Sequence, residues 1–217
     1  MTDVVVIDYG AGNLRSVVNA LRHLGRSHVV SSEPGALEVA RRVIFPGVGG
    51  AAAAMAAVRR AGLDAALAAY YRSGRPLLGI CLGSQIVFER SEEGDTACIG
   101  LLPGRVRLIP SRDAAGARLK VPHMGWNAVS RIRPHPIFSG VPDMTPFYFV
   151  HSYYAEPARP EQVLATVDYG MSLPAVVGAG AFVATQFHLE KSGAPGLRML
   201  SNFLDWDGKL EGEAACS

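Results

Sequence analysis

Short runs of consecutive apolar residues alternate along the first half of the chain with stretches in which apolar residues recur every third or fourth position. Val4-Val5-Val6-Ile7 reads as a buried strand, and Leu14, Val17, Val18, Leu21 and Leu24 then fall on one face of a helix. A second strand over 28–31 and a third over 42–45 precede an Ala-rich helix over 51–58, and a further helix over 63–72 leads into the apolar run 76–80. Another helix is expected over 85–89. Strand and helix in alternation predict a parallel sheet covered on both faces. Beyond residue 89 the pattern becomes β-rich: 105–110, 127–132, 147–154, 164–167, 175–177 and 182–187 read as strands with short turns. A last helix over 195–206 carries Leu197, Leu200 and Leu204 on one face. The expected fold class is α/β: one domain over 1–206, with a mostly parallel central sheet, helices on both faces and a smaller antiparallel part in the second half. A polar, frayed tail follows over 207–217.

Composition adds bounds to that picture. A chain of 217 residues that is 49% hydrophobic can bury the core of a single domain. A formal charge of +2 is too mild to point to nucleic acid or an anionic membrane as partner. The three cysteines, Cys81, Cys98 and Cys216, are an odd set with no Cys-x-x-Cys pair, which argues against a disulfide framework and a zinc site. No signal-peptide pattern opens the chain and no apolar run is long enough to span a bilayer, so a cytoplasmic location is expected.

Candidate chemistry centres on Gly79-Ile80-Cys81-Leu82-Gly83, where a strand runs straight into a helix start. Flanking glycines permit a tight elbow, and the helix start aims free N–H groups and partial positive charge at the sulfur, as a thiolate nucleophile needs. The pattern is the Gly-x-Ser-x-Gly elbow of hydrolases with cysteine at its centre. Such a nucleophile needs a base, and the base an orienting acid. His188-Leu189-Glu190 supplies both: with His188 ending a strand, Glu190 two residues on projects to the same side. No third ligand at useful spacing supports a metal. For a developing oxyanion, the backbone N–H of Leu82 and that of Val48 in the loop Pro46-Gly47-Val48-Gly49 are the candidate donors, and glycines on both sides of Val48 would let its peptide flip. Gly47-x-Gly49-x-x-Ala52 also fits a dinucleotide fingerprint, but it lies off the first strand-helix turn and lacks the acidic residue expected some twenty positions on. Val121-Pro122-His123-Met124-Gly125-Trp126-Asn127 is either a hairpin tip or a contact surface.

Six stretches carry a resemblance that covers nearly the whole chain. They are Asp8-Tyr9-Gly10-Ala11-Gly12-Asn13-Leu14-Arg15-Ser16-Val17, Pro46-Gly47-Val48-Gly49, the Cys81 elbow, His123-Met124-Gly125-Trp126-Asn127, Tyr148-Phe149-Val150-His151-Ser152-Tyr153 and Gln186-Phe187-His188. In these the chain resembles the class I glutamine amidotransferases, and among them the glutaminase subunits of imidazole glycerol phosphate synthases. The resemblance implies a Cys81, His188, Glu190 triad that hydrolyses L-glutamine through a glutamyl thioester, with no metal or organic cofactor. It also implies that Gly49, Gln85, Ser152 and Tyr153 hold glutamine. Asn13, Trp126, Tyr148 and Lys191 would face a (β/α)8-barrel cyclase, the partner in a heterodimer. Ammonia passing to that cyclase would serve histidine biosynthesis, yielding imidazole glycerol phosphate and aminoimidazole carboxamide ribotide. Two positions depart from the family pattern: Ser84 stands where Met is usual, putting a hydroxyl beside the glutamine pocket, and Leu189 where Pro is usual, freeing the turn that sets the Glu190 carboxylate. Leu189 opens the alternative of a catalytically silent docking subunit; a free-standing cysteine hydrolase is the other.

Overall fold

The computed structural model describes residues 2–10 and 14–210. The chain begins with β1 (Thr2–Ile7), α1 (Leu14–His23), β2 (His28–Ser31), α2 (Gly35–Glu38), β3 (Ala40–Gly47), α3 (Ala51–Arg60), α4 (Leu63–Arg72), β4 (Leu77–Cys81) and α5 (Leu82–Gln85). Short strands β5 (Arg90–Ser91) and β6 (Thr96–Ala97) then lead to β7 (Gly104–Leu108), β8 (His123–Arg131), β9 (Thr145–His151), β10 (Tyr153–Pro157), β11 (Val163–Asp168), β12 (Ser172–Ala179) and β13 (Phe182–Thr185). The helix α6 (Gly193–Asp205) closes the described fold.

Nine strands form one sheet in the order β2-β1-β3-β4-β13-β12-β11-β8-β9. Pairing is parallel from β2 to β13 and antiparallel from β13 to β9. The antiparallel part expected in the second half is present, and most of it extends the same sheet. A second sheet of four short strands, β10-β7-β5-β6, mixes both pairings.

Side chains alternate between two cores, as the pleat requires. Val4 and Val6 of β1 pack with Val17 and Leu21 of α1 and Met199 and Phe203 of α6. Val5 and Ile7 pack with Met55 and Val58 of α3 and Leu63 and Leu67 of α4. Helices thus cover both faces of the parallel half. Among the described residues no helix is long and apolar enough to cross a membrane.

One expectation fails for an identifiable reason. The helix expected over 85–89 is a single turn ending at Gln85. Ile86, Val87 and Phe88 are fully buried, and their carbonyls accept from Ile99, Leu101 and Gly100 instead of from a next helical turn. Of the two readings left open for the stretch around Trp126, the hairpin tip is excluded: His123 opens β8, which pairs with β9. Of the tail, only residues 207–210 are described: the Trp206 indole N–H donates to the Lys209 carbonyl at 2.6 Å and Leu210 packs on the core.

Candidate active site

Three neighbouring strands deliver the site at their carboxyl ends, where open α/β sheets bind ligands. In register, Gly47 of β3 stands beside Cys81 of β4, and Thr185 of β13 beside Ile80. The loops leaving these strands carry Val48 and Gly49, Leu82, and Gln186 to His188.

Cys81 has φ 53° and ψ −110°, a left-handed backbone that a non-glycine residue holds at a cost of about 1–3 kcal/mol. Its neighbours make this bend possible. A Cβ on Gly83 would lie 1.9 Å from the Phe45 carbonyl oxygen, so only glycine lets the start of α5 lie against β3. The elbow read from the sequence is present, with Cys81 buried at 7% exposure.

His188 does not end a strand, contrary to the sequence reading. β13 stops at Thr185, and Leu189–Lys191 form a 3-10 turn. The pair nevertheless forms: Nδ1 of His188 lies 2.7 Å from Oε1 of Glu190. The other ring nitrogen, Nε2, is buried and without a hydrogen-bond partner. Burial pulls the imidazole pKa down, but the neighbouring Cys81 and Glu190 outweigh it and raise it to about 9. The backbone of the base is clamped as well. Its N–H donates to the Tyr148 carbonyl at 3.1 Å, and its own carbonyl accepts from the Ser192 hydroxyl at 2.6 Å. That hydroxyl oxygen in turn accepts from the Tyr148 N–H. Leu189 is buried in the core, and with it in place the His188–Glu190 contact is intact.

A cavity of about 350 Å³ opens over the sulfur, within the range of small-ligand sites. It is lined by Val48, Gly49, Cys81, Leu82, Gln85, Glu93, Pro122, Val150, His151, Ser152, Tyr153, His188 and Lys191. The two expected oxyanion donors, all four expected glutamine contacts and two of the three triad members thus meet at one surface. Gly49 has φ +93°, a conformation suited to glycine, whereas Gly47 is small because a Cβ there would lie 2.3 Å from the Tyr9 hydroxyl. Ser84 does not line the cavity, contrary to expectation: its hydroxyl donates to the Cys81 carbonyl at 2.6 Å. Sequence reasoning missed Glu93, whose Oε2 accepts from the Ala51 N–H at 2.8 Å. That carboxylate occupies the start of α3, where a dinucleotide phosphate would otherwise sit.

Of the expected interface residues, Trp126 is 54% exposed and faces Tyr148 across the β8–β9 pair, with ring centroids 5.9 Å apart. Met124, two residues before Trp126 on the same strand face, is also exposed. Lys191 is exposed at the mouth of the cavity. Asn13 lies outside the described residues.

Comparison with known proteins agrees with this geometry. Residues 5–206 match the family model described as glutamine amidotransferase class-I. The chain is 50% identical over 212 residues to imidazole glycerol phosphate synthase subunit HisH 1 of Pseudomonas aeruginosa, covering 96% of this chain and 99% of that one. Against the HisH subunit of Thiobacillus denitrificans it is 47% identical over 210 residues, covering 94% and 92%. A solved glutamine amidotransferase superposes with a TM-score of 0.69 over 94% of this chain and 99% of that one, at 22% identity, a likeness of fold. The chain is therefore an enzyme that belongs to the class I glutamine amidotransferases, in the family of HisH subunits of imidazole glycerol phosphate synthase.

Proposed function

We propose that the chain hydrolyses L-glutamine to glutamate and ammonia, with Cys81, His188 and Glu190 as its triad, and hands the ammonia to a (β/α)8-barrel cyclase in a heterodimer. The Cys81 sulfur attacks the side-chain amide carbon. The resulting oxyanion is held by the N–H groups of Leu82 and Val48, the latter turned inward by a flip of the Gly47–Val48 peptide. His188, an imidazolium at neutral pH with its pKa near 9, gives its Nε2 proton to the departing ammonia. The glutamyl thioester is then hydrolysed by a water whose proton His188 takes, and the sulfur leaves as a thiolate beside the restored imidazolium. Glu190 keeps the ring oriented throughout.

The cavity chemistry suits an α-amino acid. Glu93 is a carboxylate for the ammonium, and Ser152 and Tyr153 line the same cavity. Gln85 uses its amide nitrogen on the carbonyl of Tyr153 and the side-chain oxygen of Gln186, so its own Oε1 is what it offers a ligand, an acceptor for an N–H of glutamine. Trp126, Met124, Tyr148 and Lys191 supply an aromatic and apolar docking face beside the cavity mouth, the composition of an interface centre. Free thiols at Cys81 and Cys98 agree with a reducing cytoplasm.

The observation that carries this reading is the 2.7 Å His188–Glu190 contact beside a strained, buried Cys81. The test is glutamate release from glutamine by the chain assembled with its cyclase subunit. Cys81→Ala is expected to abolish it. Unchanged turnover in that variant would overturn the proposal.

A further inference from the structure

Gln186 is buried, sits two residues before His188 and has no part in the chemistry set out above. Its backbone N–H donates to the Ala175 carbonyl at 2.8 Å, which fixes its main chain against β12. Its side chain reaches the nucleophile: Nε2 lies 3.9 Å from Sγ of Cys81.

Which end of that amide faces the sulfur is decided by a carbonyl on another strand. The Tyr153 carbonyl oxygen can only accept, so the Gln85 side-chain atom 2.7 Å from it is the amide nitrogen. The same nitrogen lies 2.9 Å from the Gln186 side chain and therefore meets its oxygen, which leaves the Gln186 NH2 towards the sulfur. The Tyr153 carbonyl is held in its turn. It lies 2.8 Å from Nδ1 of His151, so this nitrogen carries the hydrogen and Nε2 of the same ring accepts from Nδ1 of His123 at 2.9 Å. Asn127 Nδ2 completes the chain at 2.6 Å from Nε2 of His123. One backbone carbonyl thus assigns every proton between β8 and Cys81. An amide turned the other way would put its oxygen against a developing negative sulfur and repel it.

We propose that Gln186 donates an amide N–H to the Cys81 sulfur, stabilising the thiolate before attack and again as the sulfur leaves the thioester, and that Gln85 and Tyr153 lock it in this orientation. The contact shortens as charge builds on the sulfur, because donors to charged acceptors bind closer and more strongly. The inference rests on Cys81 being the nucleophile of the proposed glutaminase.

Its test is the rate of Cys81 alkylation by iodoacetamide across the neutral pH range, read peptide by peptide, together with glutamate release by the assembled enzyme. In Gln186→Leu, alkylation near neutral pH is expected to slow about tenfold and its pH profile to move alkaline. kcat is expected to fall at least about tenfold with a smaller change in KM. Gln186→Glu, nearly the same shape, puts an acceptor against the sulfur and is expected to lose more than the leucine variant, which separates the donor from mere packing. If both variants keep the parent's alkylation profile and kcat while Cys81→Ala is inactive, this inference fails and the glutaminase reading stands. If Cys81→Ala retains turnover, both fall.

Discussion

Nδ1 of His188 and Oε1 of Glu190 lie 2.7 Å apart with both side chains only 2% exposed, although neither residue belongs to a strand. A buried, charge-assisted contact of this kind orients the ring and favours its protonated form. Glu190→Gln is expected to lower glutamine turnover by about a hundredfold or more and to bring the His188 pKa down from about 9, as read by NMR titration of the imidazole. The folded pKa is raised above the unfolded one near 6.5. The contacts with Cys81 and Glu190 together therefore add stability fully below that value, and the stability is lost as pH rises through about 9. Urea midpoints of the parent are expected to decline over this alkaline window, and those of Glu190→Gln to decline less.

Three other histidines act in the opposite direction. Burial holds His123 and His135 at about 4, and His151 at about 3. Because the unfolded chain binds these protons first, stability is present above about pH 6.5 and is lost as pH falls toward 4. The urea midpoint is expected to drop steeply over that range. His135→Asn should flatten part of the drop, since asparagine can still accept from the Ile137 N–H that His135 Nδ1 now caps at 3.1 Å.

Gly83→Ala would drive a methyl group into the Phe45 carbonyl, 1.9 Å from the added carbon. Backbone stands on both sides of that clash, so relief requires moving α5 off β3. A destabilisation of about 3 kcal/mol or more is expected by urea unfolding, with loss of Cys81 reactivity toward iodoacetamide. Retention of parental stability would contradict the close approach described at the elbow.

Trp126→Ala removes the most exposed aromatic surface of the β8–β9 pair. Binding to the cyclase subunit is expected to weaken by about 2 kcal/mol, roughly thirtyfold in Kd, as measured by titration calorimetry. The variant's own urea midpoint should stay within about 0.5 kcal/mol of the parent, because an exposed side chain contributes little to the fold.

Residues whose roles depend on local spacing were legible in the sequence. The helix over 63–72 and the strand over 28–31 match their expected limits, and the His-x-Glu pair forms whether its backbone is a strand or a turn, since two residues of separation suffice in either. Ile86-Val87-Phe88 was not legible, because an apolar run buried on all sides has no period to distinguish helix from irregular chain. Glu93, Gln186 and Ser192 were hidden for another reason. Glu93 meets Ala51 across 42 positions, Gln186 meets Cys81 across 105 and Ser192 reaches Tyr148 across 44, contacts that exist only once the sheet has closed.

The place of β13 in the sheet order sets when the site can exist. This strand lies between β4 and β12, yet it is the last strand in the chain, followed only by the His188 loop, the 189–191 turn, the last helix and the residues after it. Until Phe182–Thr185 inserts, the strands before it can form only two unjoined halves, β2-β1-β3-β4 and β12-β11-β8-β9, and the thiol on one half has no imidazole to work with. The thiol, imidazole and carboxylate of the proposed triad can therefore meet only after the chain through Glu190 has left the ribosome.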